Sequence, residues 1–207
     1  VYVDSQDRVW VGTNGGGVNV IVNGKITAHY SSQDVLSDDS IYAITGDKDG
    51  TLWFGTYRGG LNRWRNNVIT VWGFREELFS NPMWTLFPDN EGALWIGTND
   101  LGLKRFIDGK FTTFSVMDGL FSDLAYQVLE DGKGFLWMNC ANGIFCIGKK
   151  ELQDFAEDKV YRLHSRVLGY SQEIIRSAGG GPGQPSAWKA KDGKLWFATA
   201  SGVAVAL

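Results

Sequence analysis

Five tryptophans, Trp10, Trp53, Trp95, Trp137 and Trp196, fall along the 207 residues at intervals of 43, 42, 42 and 59. A near-constant period of this length requires each interval to build one supersecondary unit that buries its apolar faces against neighbouring copies. The flanking residues recur as well. Asp47-Lys-Asp-Gly-Thr-Leu-Trp53-Phe-Gly-Thr is matched by Asp89-Asn-Glu-Gly-Ala-Leu-Trp95-Ile-Gly-Thr and, more loosely, by the runs from Asp4 to Thr13, Asp131 to Cys140 and Ala190 to Thr199. The long fourth interval carries an insertion over 148–185. Within it, Leu152 and Phe155 stand three apart among charges, which predicts a short amphipathic helix over 149–157.

Apolar residues alternate over short runs bounded by Gly, Asn and Asp, the pattern of strands. In the second unit this predicts strand A at 41–44, B at 51–55, C at 61–64 and D at 68–72. The Asp-x-x-Gly segment turns A into B, with Asp accepting backbone N–H groups and Gly supplying positive φ, while Asn66-Asn67 turns C into D. Four short antiparallel strands per period define a β-propeller blade. The expectation is an all-β domain over 1–207, with five four-stranded repeats of about 42 residues and the last incomplete, as part of a larger propeller. The start at Val1 inside a strand and the end at Leu207 after a third strand suggest the C-terminal part of a longer array. The repeated tryptophans are assigned to the core between blades, and the aspartates in register with them to turns.

Composition excludes several classes. Lys+Arg 20 against Asp+Glu 23 gives a net charge of −3, and no basic run could track a phosphate backbone, so nucleic acid is not an expected partner. No apolar stretch reaches the roughly 20 residues of a spanning helix. Cys140 and Cys146 are too few for a disulfide scaffold; a bridge across their hairpin would be strained. His29 and His164 have no repeated partner, and the run Gly179-Gly-Gly-Pro-Gly183 lacks the Gly-Lys-Ser/Thr ending that cradles phosphate. No cofactor or metal is expected.

The third unit follows Asp-x-x-Gly-x-Leu-Trp-Ile-Gly-Thr from Asp89, continues to Leu103, and closes with Phe111-Thr-Thr-Phe114 and Asp118-Gly-Leu-Phe-Ser-Asp123; the second follows the same pattern from Asp47 to Asn62. There is no Gly-His…Trp-Asp signature and the period is short of kelch repeats. The sequence resembles the two-component regulator propeller repeat. Departures are local: Asn139-Cys140 replaces Gly-Thr, Leu101 replaces the first Gly of the third unit, and Ala190 replaces Asp. The resemblance implies a sensor domain on the periplasmic or extracellular side of the inner membrane. It also implies a small-molecule or oligosaccharide ligand, a kinase or other output domain in the same full-length chain, and a homodimer as signalling partner.

In such a fold the D-to-A and B-to-C loops emerge on one face, so residues that vary between units there are the binding candidates. Tyr42, Trp84 and Tyr126 each stand eleven residues before a repeated tryptophan, at the channel mouth of consecutive blades. The adjoining loops add Tyr57, Arg58, Asn81, Asn99, Asp100 and Asn142. Rings can stack on apolar sugar faces while amides bond hydroxyls. The same rings could instead wedge between blades. A propeller glycosidase or lyase is the competing reading, although only Asp38, Asp39 and Asp123 lie near the mouth and neither histidine offers an evident base. A protein-interaction scaffold is the third.

Overall fold

The computed structural model describes residues 1–73, 81–168, 185–200 and 202–206. Ser80, Ser201 and the glycine-rich run at 179–183 fall outside them. The first blade comprises β1 (Tyr2–Val3), β2 (Val9–Gly12), β3 (Val18–Val22) and β4 (Lys25–Tyr30). The second comprises β5 (Ile41–Gly46), β6 (Leu52–Thr56), β7 (Leu61–Arg65) and β8 (Val68–Trp72). The third is β9 (Met83–Pro88), β10 (Leu94–Thr98), β11 (Leu103–Ile107) and β12 (Lys110–Phe114). In the fourth, β13 (Gln127–Glu130), β14 (Phe135–Cys140) and β15 (Gly143–Gly148) are followed by helix α1 (Lys149–Ala156) before the short outer strand β16 (Arg166–Val167). The fifth is β17 (Ala187–Lys189), β18 (Leu195–Thr199) and β19 (Gly202–Ala206).

Every sheet is antiparallel with its strands in chain order, four-stranded in blades one to four and three-stranded in the fifth. The first strands β5, β9, β13 and β17 pack side by side in succession, which brings one edge of each sheet to the centre. The all-β propeller expectation is met, and α1 lies within the helix predicted for the insertion.

Apolar clusters fill the space between blades. Trp10 meets Phe54 and Trp64 across the first interface at ring separations of 5.9 and 5.0 Å, and Trp53 meets Phe106 across the second at 5.5 Å. Trp95 is buried in the cluster shared with Val128, Met138 and Phe145 of the fourth blade. Close approach depends on the glycine two residues after Trp10, Trp53 and Trp95. A Cβ at Gly12 would stand 2.7 Å from Ile41 Cγ2, and one at Gly55 2.9 Å from Met83 Cβ, so a side chain there would push the next blade outward. In the fourth blade Asn139 occupies this position and meets the hydroxyl of Ser186 instead, at 3.3 Å.

Each Asp-x-x-Gly turn carries a further bond. Asp89 Oδ1 accepts the backbone N–H groups of Glu91 and Ala93, both at 2.9 Å, while Oδ2 accepts the indole N–H of Trp95 at 2.8 Å. Asp4 does the same for Trp10 at 2.8 Å, Asp47 for Trp53 at 3.3 Å and Asp131 for Trp137 at 2.9 Å. The fifth blade has Ala190 at this position, and Trp196 is 43% exposed. Burial would push the carboxyl of Asp89 up, but the indole, the ammonium of Lys149 and two backbone N–H groups outweigh it and hold the pKa below the ordinary value. Asp4 and Asp131 are also held low, desolvation again being opposed by indole and N–H donors.

Both cysteines are free and buried, so the strained hairpin disulfide does not form; burial pushes the Cys146 thiol up. Trp95→Ala should cost about 3–5 kcal/mol in equilibrium unfolding, whereas Trp196→Ala should cost far less, because only the first ring is buried and latched. The low carboxyl values set a second expectation. A folded pKa below the unfolded 3.8 contributes stability that is complete above that value and lost as pH falls through the folded one. Melting temperature should therefore drop steeply below about pH 4, and Asp89→Asn should flatten the drop in a pH series of thermal melts.

Candidate functional site

The loops entering first strands and those joining second to third strands meet on one face, held by backbone bonds that the chain repeats. Gly15 and Gly17 N–H groups donate to Asp39 O at 3.1 and 2.8 Å, Tyr57 N–H to Ser40 O at 2.9 Å, and Gly102 N–H to Asp123 O at 2.9 Å. In four of the five blades a threonine at the end of the second strand closes its own loop: Thr13, Thr56, Thr98 and Thr199 hydroxyls donate to the carbonyls of Gly17, Gly60, Gly102 and Gly202 at 2.7–3.0 Å, while Cys140 stands at this position in the fourth. This frame fixes where the variable side chains stand.

Four aromatic rings form a continuous ribbon across it. Tyr57 stacks on Tyr42 at 5.4 Å, Tyr42 meets the edge of Trp84 at 5.0 Å, and Trp84 meets Tyr126 at 6.3 Å. The rings come from blades two, three and four, and all four are half-buried. They pack on one another along the face, leaving part of each ring to solvent. The exposed Arg58 places its guanidinium 5.0 Å from the Tyr57 ring, at one end of the ribbon, while its backbone N–H donates to Asp38 Oδ2 at 2.9 Å and fixes the loop.

The amides divide by role. Asn99 is exposed and accepts the Trp84 indole N–H through Oδ1 at 3.3 Å, fixing that ring. Asn81 is buried, with Oδ1 accepting the Asn99 N–H at 2.9 Å and Nδ2 donating to Asp100 Oδ1. Asn81 is thus a clamp beneath the face, and its carboxamide is spent on Asn99 and Asp100. Asp100 is exposed but tied to that clamp. Asn142 is exposed on the two-residue loop between β14 and β15, and no described hydrogen bond links it to the ribbon rings.

Sequence reasoning missed a polar chain along the inner wall. Gln127 donates to Thr85 at 3.1 Å and accepts the Ser186 N–H at 3.3 Å, and Ser186 in turn meets Asn139, joining blades three, four and five. The signal was the substitution of Asn139 for glycine. Neither histidine reaches the ribbon through a described bond: His29 Nδ1 meets Asn19 at 3.1 Å and His164 Nδ1 meets Glu151 at 3.0 Å. Among the described residues no group of three or more His, Cys, Asp or Glu could hold a metal ion. The larger clefts open on the opposite face, between the Asp-x-x-Gly turns of neighbouring blades.

A propeller whose blades carry the carboxylate–indole turn defines the class. Residues 35–58 and 77–100 match the family described as two component regulator propeller, and the chain carries that repeat. Sequence comparison with curated proteins finds no match. The extracellular domain of a protein assigned as a hybrid two component system of B. thetaiotaomicron superposes with a TM-score of 0.79 at 22% identity, over 99% of this chain and 27% of that one. The extracellular domain of a protein assigned as a one component system of the same organism gives 0.74 at 19%, over 100% and 29%. Virginiamycin B lyase from Staphylococcus aureus gives 0.69 at 18%, over 99% and 68%. These likenesses show the fold. The chain spans less than a third of the two extracellular domains. No helix among the described residues is long and apolar enough to cross a membrane.

Asn81→Ala should cost about 1–3 kcal/mol, read by denaturant unfolding, because it removes the buried amide that ties the Asn99 N–H and Asp100 to the layer beneath them. Asn142→Ala should be near neutral in the same measurement.

Proposed function

We propose that this chain is the ligand-binding sensor part of a two-component-type signalling protein. It faces the extracellular or periplasmic side and recognises a carbohydrate on the aromatic ribbon. The observation that carries this reading is the ribbon itself: Tyr57, Tyr42, Trp84 and Tyr126 in unbroken ring contact, with Arg58 at one end and Asn99 alongside. Half-exposed rings stack on the C–H faces of sugars, and the neighbouring amide and guanidinium bond hydroxyls. The rings hold each other in place, so little side-chain entropy remains to be lost on binding.

Transmission to a kinase or other output domain in the same full-length protein follows from preference, since a ligand shifts an equilibrium only by its differential affinity for two arrangements. In a homodimer those arrangements are two placements of the paired sensors. A catalytic reading gains no support from the same face, where the histidines are bonded elsewhere and Asp38 and Asp123 are engaged by the backbone of Ser40, Arg58 and Val116.

Calorimetric titration with oligosaccharides from polysaccharide digests, paired with product analysis, tests this. A saturable, unconsumed binder is expected, weakened about tenfold, or ~1.4 kcal/mol, by Tyr57→Ala and by Trp84→Ala. Arg58→Ala should weaken it less and leave the melt unchanged. Affinity indifferent to all three substitutions would remove the ribbon as the site, and turnover of the binder would replace a sensor with an enzyme.

A further inference from the structure

The ribbon changes charge along its length. At the second residue beyond the second strand, blades two, three and four carry Arg58, Asp100 and Asn142, all three exposed. The ring series therefore has a cation at its blade-two end and an acid one blade further on. In the described loops that enter first strands or join second to third strands, Arg58 is the one basic residue. Its acidic neighbours are engaged elsewhere. Asp38 accepts the backbone N–H groups of Ser40 and Arg58 at 2.7 and 2.9 Å, and Asp100 accepts the Asn81 amide. Among the described residues the Arg58 guanidinium forms no ion pair, and its one close side-chain contact is the Tyr57 ring at 5.0 Å.

That arrangement suits an anion better than a hydroxyl. A guanidinium held over a ring keeps its in-plane N–H groups available, and their fork matches the two oxygens of a carboxylate, whereas a hydroxyl takes only one of them. The loop bond to Asp38 and the ring contact limit the wandering of the side chain, so less rotamer freedom is lost on pairing. Asp38 opposes any anion beside it, which confines the gain to about fivefold in affinity, the upper range for exposed ion pairs. Asp100 opposes an anion over blade three as well, so a ligand with one acidic end is directed along the rings with that end on blade two.

We infer that the ligand of the ribbon is an acidic oligosaccharide, with a uronate carboxylate taken by the Arg58 guanidinium while its neutral sugars run over Tyr42 and Trp84. The inference rests on the ribbon being the carbohydrate site, and its test separates the two. The whole chain is titrated calorimetrically with trigalacturonate, trimannuronate and glucuronic-acid-substituted xylotriose, each beside its carboxyl methyl ester, and with neutral xylo- and cello-oligosaccharides. At least one acid should bind saturably, with its ester held about fivefold more weakly. Arg58→Gln should weaken the acid by about the same factor and leave the ester unchanged, while Asp100→Asn should tighten the acid alone. Added salt should weaken the acid in the parent and much less in Arg58→Gln. Equal binding of acid and ester, or an equal loss of both in Arg58→Gln, would overturn the inference. So would binding of neutral oligosaccharides alone; if that binding still fell with Tyr57→Ala, the ribbon would stand as a carbohydrate site without the acidic preference. Saturable binding of none of the sugars would remove both readings.

Discussion

A carboxylate shared between a turn and an indole organises each of the first four blades. Burying a tryptophan ring yields much of the apolar contact available at a blade interface, but its N–H must find an acceptor or the burial is penalised. Asp4, Asp47, Asp89 and Asp131 provide that acceptor with one oxygen while the other gathers the N–H groups of the turn. The result fixes the ring's height along the blade and the shape of the turn together. Where the carboxylate is missing, at Ala190, the turn survives through backbone bonds to Lys194 and Gly193, while the ring of Trp196 stays partly in solvent.

The latch sits at one end of the sheets, and the opposite end is built on different rules. There, threonine and glycine close the loops of blades one, two, three and five in the same way, and the neighbouring loop is caught by backbone bonds that make no demand on side chains. Positions such as Tyr57, Arg58 and Asn99 can therefore change from blade to blade without disturbing packing. Tyr42, Trp84 and Tyr126 belong to both regimes, since each lies at the start of a packed first strand or immediately before it yet keeps a half-exposed ring.

The fold was legible because periodicity needs no knowledge of partners: the spacing of Trp10, Trp53 and Trp95 and the Asp-x-x-Gly runs carry it. The turn role of the aspartates was legible too, but only half of it, since the indole bond spans six residues and depends on ring orientation. Alignment placed Tyr42, Trp84 and Tyr126 at one level and could not show that they touch. Asn81 read as a surface amide because the buried bond to Asn99 joins two loops 18 residues apart. Nothing in the helix prediction over 149–157 singled out Lys149, because its partners lie 19 to 60 positions away.

That last case shows how an insertion becomes part of a repeat. Helix α1 displaces the usual short turn after β15, yet its first residue retains the register position of the turn it replaces. Leu152 and Phe155 pack the helix against the cluster around Trp95, Phe114 and Leu136, and the ammonium of Lys149 then meets three carboxylates at once. An ammonium so surrounded has its pKa raised, its own desolvation being outweighed by bonds to Glu91, Asp89 and Glu130. Removing the charge would leave Asp89 buried with one donor fewer, so the helix is tied to the third blade electrostatically as well as by packing. The insertion therefore reinforces the interface it interrupts.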